Sequence, residues 1–398
     1  TKMNRRILAL LLALVMVAGL MTGCASGKQE AAAPETAQTE SPAAEETAAE
    51  PDQTEESPAE EEAPAEPETV SFTDSLGRTV ELPADITRIA PSGAVATMIL
   101  AAIAPECMVT INAAPSESQI AFLPANLAAL PETGQMYGSK ADLNLETLLA
   151  ADPQVVIDLG DKKGDMTEDL DALQAQIGIP VVFIEADLAH MAAAFRTLGS
   201  LLSGKSDRGE ELAALVDRTT AMAEENAAKI TDDMRVRAMY TTGEDGLGTN
   251  AAGSMQAQVL DMVGVENAVM VEDVSNKGGG NIISLEQLYN FDPDVILFAD
   301  GSIYDTVTDD SAWSQLTAIS TGKYYEVPGS PYSWLSGPPS MNMILGVWWL
   351  GNLIYPEIYD YDMDTMTQEL YKTLWGYELS SEEVTALLGN STLKAAAQ

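Results

Sequence analysis

Two apolar runs stand out in the hydrophobic pattern, VVIDL at Val155–Leu159 and VILFA at Val295–Ala299. Each follows a short amphipathic stretch, and the two neighbourhoods match at an offset of 140 residues. Leu143–Asp161 reads LNLETLLAADPQVVIDLGD, and Ile283–Gly301 reads ISLEQLYNFDPDVILFADG. Leu145, Glu146, Leu148, Asp152, Pro153 and Val155 recur as Leu285, Glu286, Leu288, Asp292, Pro293 and Val295. The LExL spacing predicts a helix stopped near each Asp-Pro, because the residue before proline is steered out of the α region. The apolar run then suits a strand buried on both faces of a parallel sheet. One repetition at so long a spacing is no solenoid, whose period is roughly 20–50 residues. It predicts two similar α/β lobes, with chance likeness of two generic segments as the alternative.

The pattern places further elements around this pair. SFTDSLGRTVELP alternates on either side of Ser75–Gly77 and predicts a hairpin. A strand over Thr87–Ala90, a turn at Pro91-Ser92-Gly93 and an apolar helix over Ala94–Ala104 follow. The turn leaves backbone N–H groups free at a helix N-terminus, which serves equally as a cap or as a ligand contact. Met108–Ile111 and Ile179–Ile184 read as strands. A helix reaches about Leu202, and a second covers Asp207–Lys229, about 35 Å at 1.5 Å per residue. Val236–Tyr240 opens the second lobe as a strand, followed by a Gly-rich loop at Thr241–Gly253 and a helix at Met255–Val263. Ser275–Asn281 is a loop, Tyr324–Val327 a strand, Gly329–Ser340 a Pro/Gly-rich loop and Met341–Tyr355 a helix.

Composition changes the picture at the N-terminus. Lys2, Arg5 and Arg6 precede the apolar run Ile7–Leu20, and Met21–Cys24 reads MTGC. This is a secretory signal over residues 1–24, and its ending resembles a bacterial lipobox, which implies acylation of Cys24. The mature chain is then lipid-anchored to the membrane without spanning it. Residues 25–69 are almost entirely Ala, Glu, Pro, Thr, Ser and Gln. Too little apolar surface is available there to offset ordering entropy, and the segment reads as a disordered acidic tether.

The net charge of −41 argues against nucleic acid, since phosphates would meet no neutralising field. Cys24 and Cys107 give no disulfide framework, and the lone His190 excludes a multi-histidine metal site. Cys107 reads as a small buried hydrophobe and His190 as a partly exposed helix residue. GEDGLG at Gly243–Gly248 lacks the basic partner of a phosphate loop.

Taken together, DSLGRTVELP with ITRIAPSGA, the paired NLE…DPxVVI and SLE…DPDVILF phrases, and VPGSPYSWLSGPPSMNMILGVWWLGNLIYPE resemble the substrate-binding proteins of ABC importers. The matching branch is the iron-siderophore and vitamin B12 family, the class III periplasmic binding proteins. The resemblance implies two Rossmann-like α/β lobes, residues 70–186 and 232–398, joined by one long helix within residues 187–231. A ligand cleft lies between the lobes. Carried over by position, its binding residues are Pro91, Ser92, Met136, Tyr137, Gly243, Asn276, Lys277, Tyr332, Ser333 and Trp334. Tyr137, Tyr332 and Trp334 are aromatics able to stack on a planar or chelate ligand.

On the residues alone, Glu146 and Glu286 are solvated helix charges. The resemblance implies that they dock on arginines of a membrane permease, one acid per lobe. Where many relatives carry an arginine after the tryptophan, this chain has Ser336-Gly337-Pro338-Pro339. Lys140 and Lys277 are then the basic residues near the cleft loops, which disfavours a strongly anionic ligand. The expected protein is no enzyme and needs no cofactor. It is an extracytoplasmic monomer that delivers an iron(III)-siderophore to an ABC permease and its ATPase. Cobalamin, another corrinoid or haem is the alternative cargo, and ligand sensing without transport the alternative role.

Overall fold

The hairpin is present, with β1 (Thr69–Thr73) antiparallel to β2 (Thr79–Pro83) and Phe72 opposite Val80. Asp74 locks its turn, accepting the N–H groups of Leu76 and Arg78 at 3.0 Å each. Arg78 bonds Asp74 at 3.0 Å and reaches on to Asp171 at 2.8 Å, which pins the hairpin to the first lobe. The computed structural model describes residues 68–138, 141–276 and 278–392 of the chain. The expected signal over 1–24, and all of the tether but its last two residues, lie outside these. No helix among the described residues is long and apolar enough to cross a membrane.

In the first lobe, β3 (Ile89–Pro91) leads into α1 (Ala94–Ile103), then α2 (Leu145–Ala150), β4 (Val155–Gly160), α3 (Met166–Ile177) and β5 (Val181–Glu185). The strands form a parallel sheet in the order β3-β4-β5, with Val155 beside Ile89 and Val156 beside Val181. All six residues of β4 are buried. Val155, Ile157 and Leu159 enter the main core, while Val156 joins Leu148, Leu170 and Phe183 on the opposite face. Alternate side chains of one strand thus fill two helical layers. The expected strand at Met108–Ile111 is reduced to isolated bridges, Met108 to Ile89 and Ile111 to Glu132. Its two ends pair with different neighbours, so no continuous ladder forms.

Helices α4 (Met191–Leu201) and α5 (Ser206–Ala227) connect the lobes. They cross at Gly199 and Gly209, where a Cβ on Gly209 would stand 2.6 Å from the Phe195 carbonyl oxygen. The second lobe holds β6 (Arg237–Thr242), β7 (Gly248–Thr249), α6 (Gln258–Met262), β8 (Glu266–Asn267), β9 (Asn281–Ile282), α7 (Leu285–Phe291), β10 (Val295–Phe298) and β11 (Tyr324–Glu326). Its sheet order is β11-β10-β6-β7-β9, with β8 also beside β6. β8, β10 and β11 pair in parallel and β7 and β9 antiparallel, so the Gly-rich loop folds back as a short hairpin.

The chain ends in α8 (Met343–Ile354), α9 (Met363–Trp375) and α10 (Ser381–Leu388). Buried α8 donates from Trp348 Nε1 to Thr219 Oγ1 of α5 at 2.8 Å. α9 returns to the first lobe: the Tyr371 ring meets that of Phe122 edge-on at 5.5 Å, and Arg208 donates to the Thr373 carbonyl at 2.6 Å. One core cluster accordingly runs through both lobes, from Val80 to Leu388.

The repeated phrase folds alike in both places. Asn144 and Ser284 cap their helices by accepting the N–H groups of Thr147 and Gln287. Leu148 and Leu288 are fully buried. Asp152 and Asp292 both leave the right-handed helical region, as their prolines demand, but enter the left-handed one, at φ 50° and 33°. Aspartate tolerates that region better than most residues.

Candidate functional site

A cavity of about 330 Å³ lies between the lobes. The first lobe lines it from its strands and the turns after them, with Ser92 after β3, Asp158 within β4, Asp161 just after it, and Lys163 beyond. This is where open α/β sheets place ligands. Gln135 and Tyr137 close the same side, and Met255, Gln256, Asn276 and Ser336–Pro339 form the wall from the second lobe.

Asp158 is the buried charge of the cavity, 4% exposed. Its Oδ1 accepts the Ser92 hydroxyl, and its Oδ2 has no hydrogen-bond partner among the described residues. Burial raises its pKa to about 6, against the opposing effects of the Ser92 hydrogen bond and the Lys163 charge. The Lys163 ammonium bonds the Asp161 carbonyl at 3.2 Å and sits 5.1 Å over the centre of the Tyr137 ring. Across the cavity, Gln256 is buried and donates through Nε2 to the Asn276 carbonyl at 2.9 Å. Asn276 Oδ1 in turn accepts the Met255 N–H at 2.9 Å, which fixes the loop carrying it.

Of the residues expected to bind ligand, Ser92, Tyr137 and Asn276 line this cavity together. Pro91 does not: it is buried as the last residue of β3, paired with Ile157. Met136 donates its N–H to the Ser92 carbonyl at 2.8 Å and packs its side chain on the first lobe's outer core. Gly243 belongs to the β6–β7 turn, where its carbonyl accepts the Ser302 hydroxyl. Lys277 and Cys24 lie outside the described residues, as does Lys140.

Trp334 requires a correction, since it is fully buried in the main core. Its N–H reaches back to the Pro328 carbonyl at 3.0 Å, folding the Pro/Gly loop so that the indole points inward. Burying so large an apolar ring outweighs what a solvent-facing contact offers. Tyr332 packs against the same core, and the Ser333 carbonyl accepts the Asn342 side chain; neither lines the cavity. The loop contributes its later residues, Ser336–Pro339, instead.

The polar lining residues Gln135, Asp158, Asp161, Lys163 and Gln256 were missed from sequence. Only Asp158 left a signal there, as one carboxylate within an apolar strand. Lys163 also corrects the expectation that Lys140 and Lys277 are the basic residues near the cleft. Glu146 and Glu286 are exposed in the first turn of α2 and of α7. Elsewhere, Glu185, Asp187 and His190 bring ligand-type atoms within 4.8 Å of one another, with exposed His190 bonded to Asp187 at 2.6 Å. Cys107 is buried, as expected.

The sequence profile of the periplasmic binding proteins matches residues 107–331, more than half of the chain. No curated protein matches. Among solved structures, an ABC transporter solute binding protein from Sulfurospirillum deleyianum is 28% identical with a TM-score of 0.74, covering 80% of this chain and 99% of that one. A periplasmic solute binding protein from Veillonella parvula is 23% identical, TM-score 0.68, covering 81% and 98%. A molybdate periplasmic binding protein from Haemophilus influenzae, bound to molybdate, is 20% identical, TM-score 0.64, covering 78% and 99%. With two α/β lobes facing each other across a ligand-sized cavity, this chain belongs to the periplasmic binding protein family, the extracytoplasmic, non-enzymatic solute-binding proteins of ABC transporters.

Proposed function

We propose that the protein captures a metal chelate, an iron(III)-siderophore first of all, in the inter-lobe cavity and hands it to an ABC permease. The observation that carries this reading is the character of the lining. Hydroxyl, amide and carboxylate groups from both lobes face about 330 Å³ of space, within the usual range for small-molecule pockets. Among the described residues its charged groups, Asp158, Asp161 and Lys163, do not form the cationic cradle that a bare oxyanion needs. Oxygen-rich chelates of low charge suit it better. A corrinoid or haem is less well served, because Trp334 and Tyr332 do not line the space.

Delivery rests on Glu146 and Glu286. Each acid is exposed at the same point of its repeat, beside exposed apolar side chains: Leu149 in one copy, Ile282, Leu285 and Tyr289 in the other. A carboxylate amid such exposed carbon suits a protein partner carrying arginines. Acylation of Cys24 would hold the protein at the membrane beside that partner.

Titration of the purified protein with ferric hydroxamate and catecholate chelates, read by tryptophan fluorescence, tests the cargo. Saturable quenching at micromolar concentration or below supports it. No response to any ferric chelate, with a response to a sugar or peptide, overturns it.

A further inference from the structure

We infer that the cavity selects a solute presenting hydrogen-bond donors to both lobes, with positive charge at the Asp158 end. This rests on the reading that the cargo is a chelate and adds to it which chelates are taken. Two buried acceptor atoms in the lining have no partner among the described residues, Asp158 Oδ2 in one lobe and Gln256 Oε1 in the other. The orientation of Gln256 is set by its Nε2, which donates to Asn276, so the oxygen is left to accept. A buried acceptor left bare is costly, and a carboxylate oxygen more so than an amide oxygen.

The repeat shows that the fold does not demand this carboxylate. The position of Asp158 in β4 corresponds to Phe298 in β10, at the same offset of 140. Phe298 is fully buried against Trp313, with ring centres 5.5 Å apart. One lobe fills the site with an aromatic ring; the other places an acid there and bonds only one of its oxygens. An ammonium, or an N–H or O–H group polarised by a bound metal, satisfies Oδ2. A bare oxyanion would face it in repulsion.

The test uses a matched pair of probes: a ferric trihydroxamate bearing one pendant ammonium group, and its N-acetylated form, identical but uncharged. Affinities are measured by titration calorimetry at pH 7.5 for the wild-type protein and for Asp158→Asn, with molybdate as a third probe. The substitution keeps the shape and the acceptor for Ser92 but turns the bare oxygen into an NH2 donor. Wild type should prefer the ammonium probe by about tenfold or more, the usual worth of a hydrogen bond to a charged group, and Asp158→Asn should lose that preference. Equal binding of both chelates by wild type overturns the role of Asp158 and leaves the chelate reading standing. Binding of neither overturns the chelate reading and this inference with it. Tight molybdate binding that Asp158→Asn does not change overturns the claim that the site selects donors.

Discussion

The Ser92 hydroxyl donates to one oxygen of Asp158, and the other oxygen is buried without a hydrogen-bond partner among the described residues, beside the inter-lobe cavity. The pair joins the residue after β3 to the body of β4, so the acid is held in place before any ligand arrives. Such pre-positioning lowers the ordering cost of binding.

That arrangement has a pH signature. The folded protein holds the Asp158 proton more tightly than the unfolded chain does, about 6 against 3.8. Its stability contribution is therefore lost as pH rises from about 4 to about 6, and the penalty is fully present above that. Lys163, Asp161 and Ser92 face the carboxyl and modulate the value. Asp158→Asn should stabilise the ligand-free protein at pH 7.5, by on the order of 3 kcal/mol at most, and hardly at all at pH 4. Denaturant melts of both proteins at the two pH values check this; an equal difference at both would refute it.

Trp334 and Tyr137 should separate cleanly. Trp334→Ala removes a fully buried ring and should cost about 3–5 kcal/mol of stability. Tyr137→Ala alters a half-buried wall of the cavity and should weaken ligand binding with a smaller loss of stability. Paired melts and titrations distinguish the two.

Reversing Glu146 and Glu286 to lysine should abolish uptake in cells while the purified double variant binds ligand as wild type does. Both side chains are exposed, so the fold should be unaffected. Uptake at the wild-type rate would remove them from the docking surface.

The α4–α5 crossing should tolerate no side chain at Gly209. A Cβ there would stand 2.6 Å from the Phe195 carbonyl oxygen and 2.7 Å from Gly199 Cα, both backbone atoms. Gly209→Val should cost at least about 1–3 kcal/mol as the helices are forced apart. Thermal unfolding measures it.

Legibility in the sequence followed how local the cause was. The repeated helix–strand unit was readable because Asp-Pro stops and apolar runs act within a dozen residues, and Leu148 and Leu288 play the parts their spacing implies. The return of α9 to the first lobe was not readable, because it depends on contacts such as Phe122 with Tyr371, far apart in the chain. The same limit applied to the cavity. Ser92, Tyr137 and Asn276 arrive there, whereas Trp334 is drawn into the core by its own apolar area. Asp158 was visible as an acid in an apolar strand, but its meaning needed the third dimension and the contrast with Phe298.

Mass spectrometry with an absorbance spectrum, on protein purified from its native host, addresses the central claim most directly. A captured metal chelate should appear as a coloured species of defined mass, carrying iron and at least one donor or cationic group, released on unfolding. A colourless protein whose only bound solute is a sugar or a peptide would contradict it.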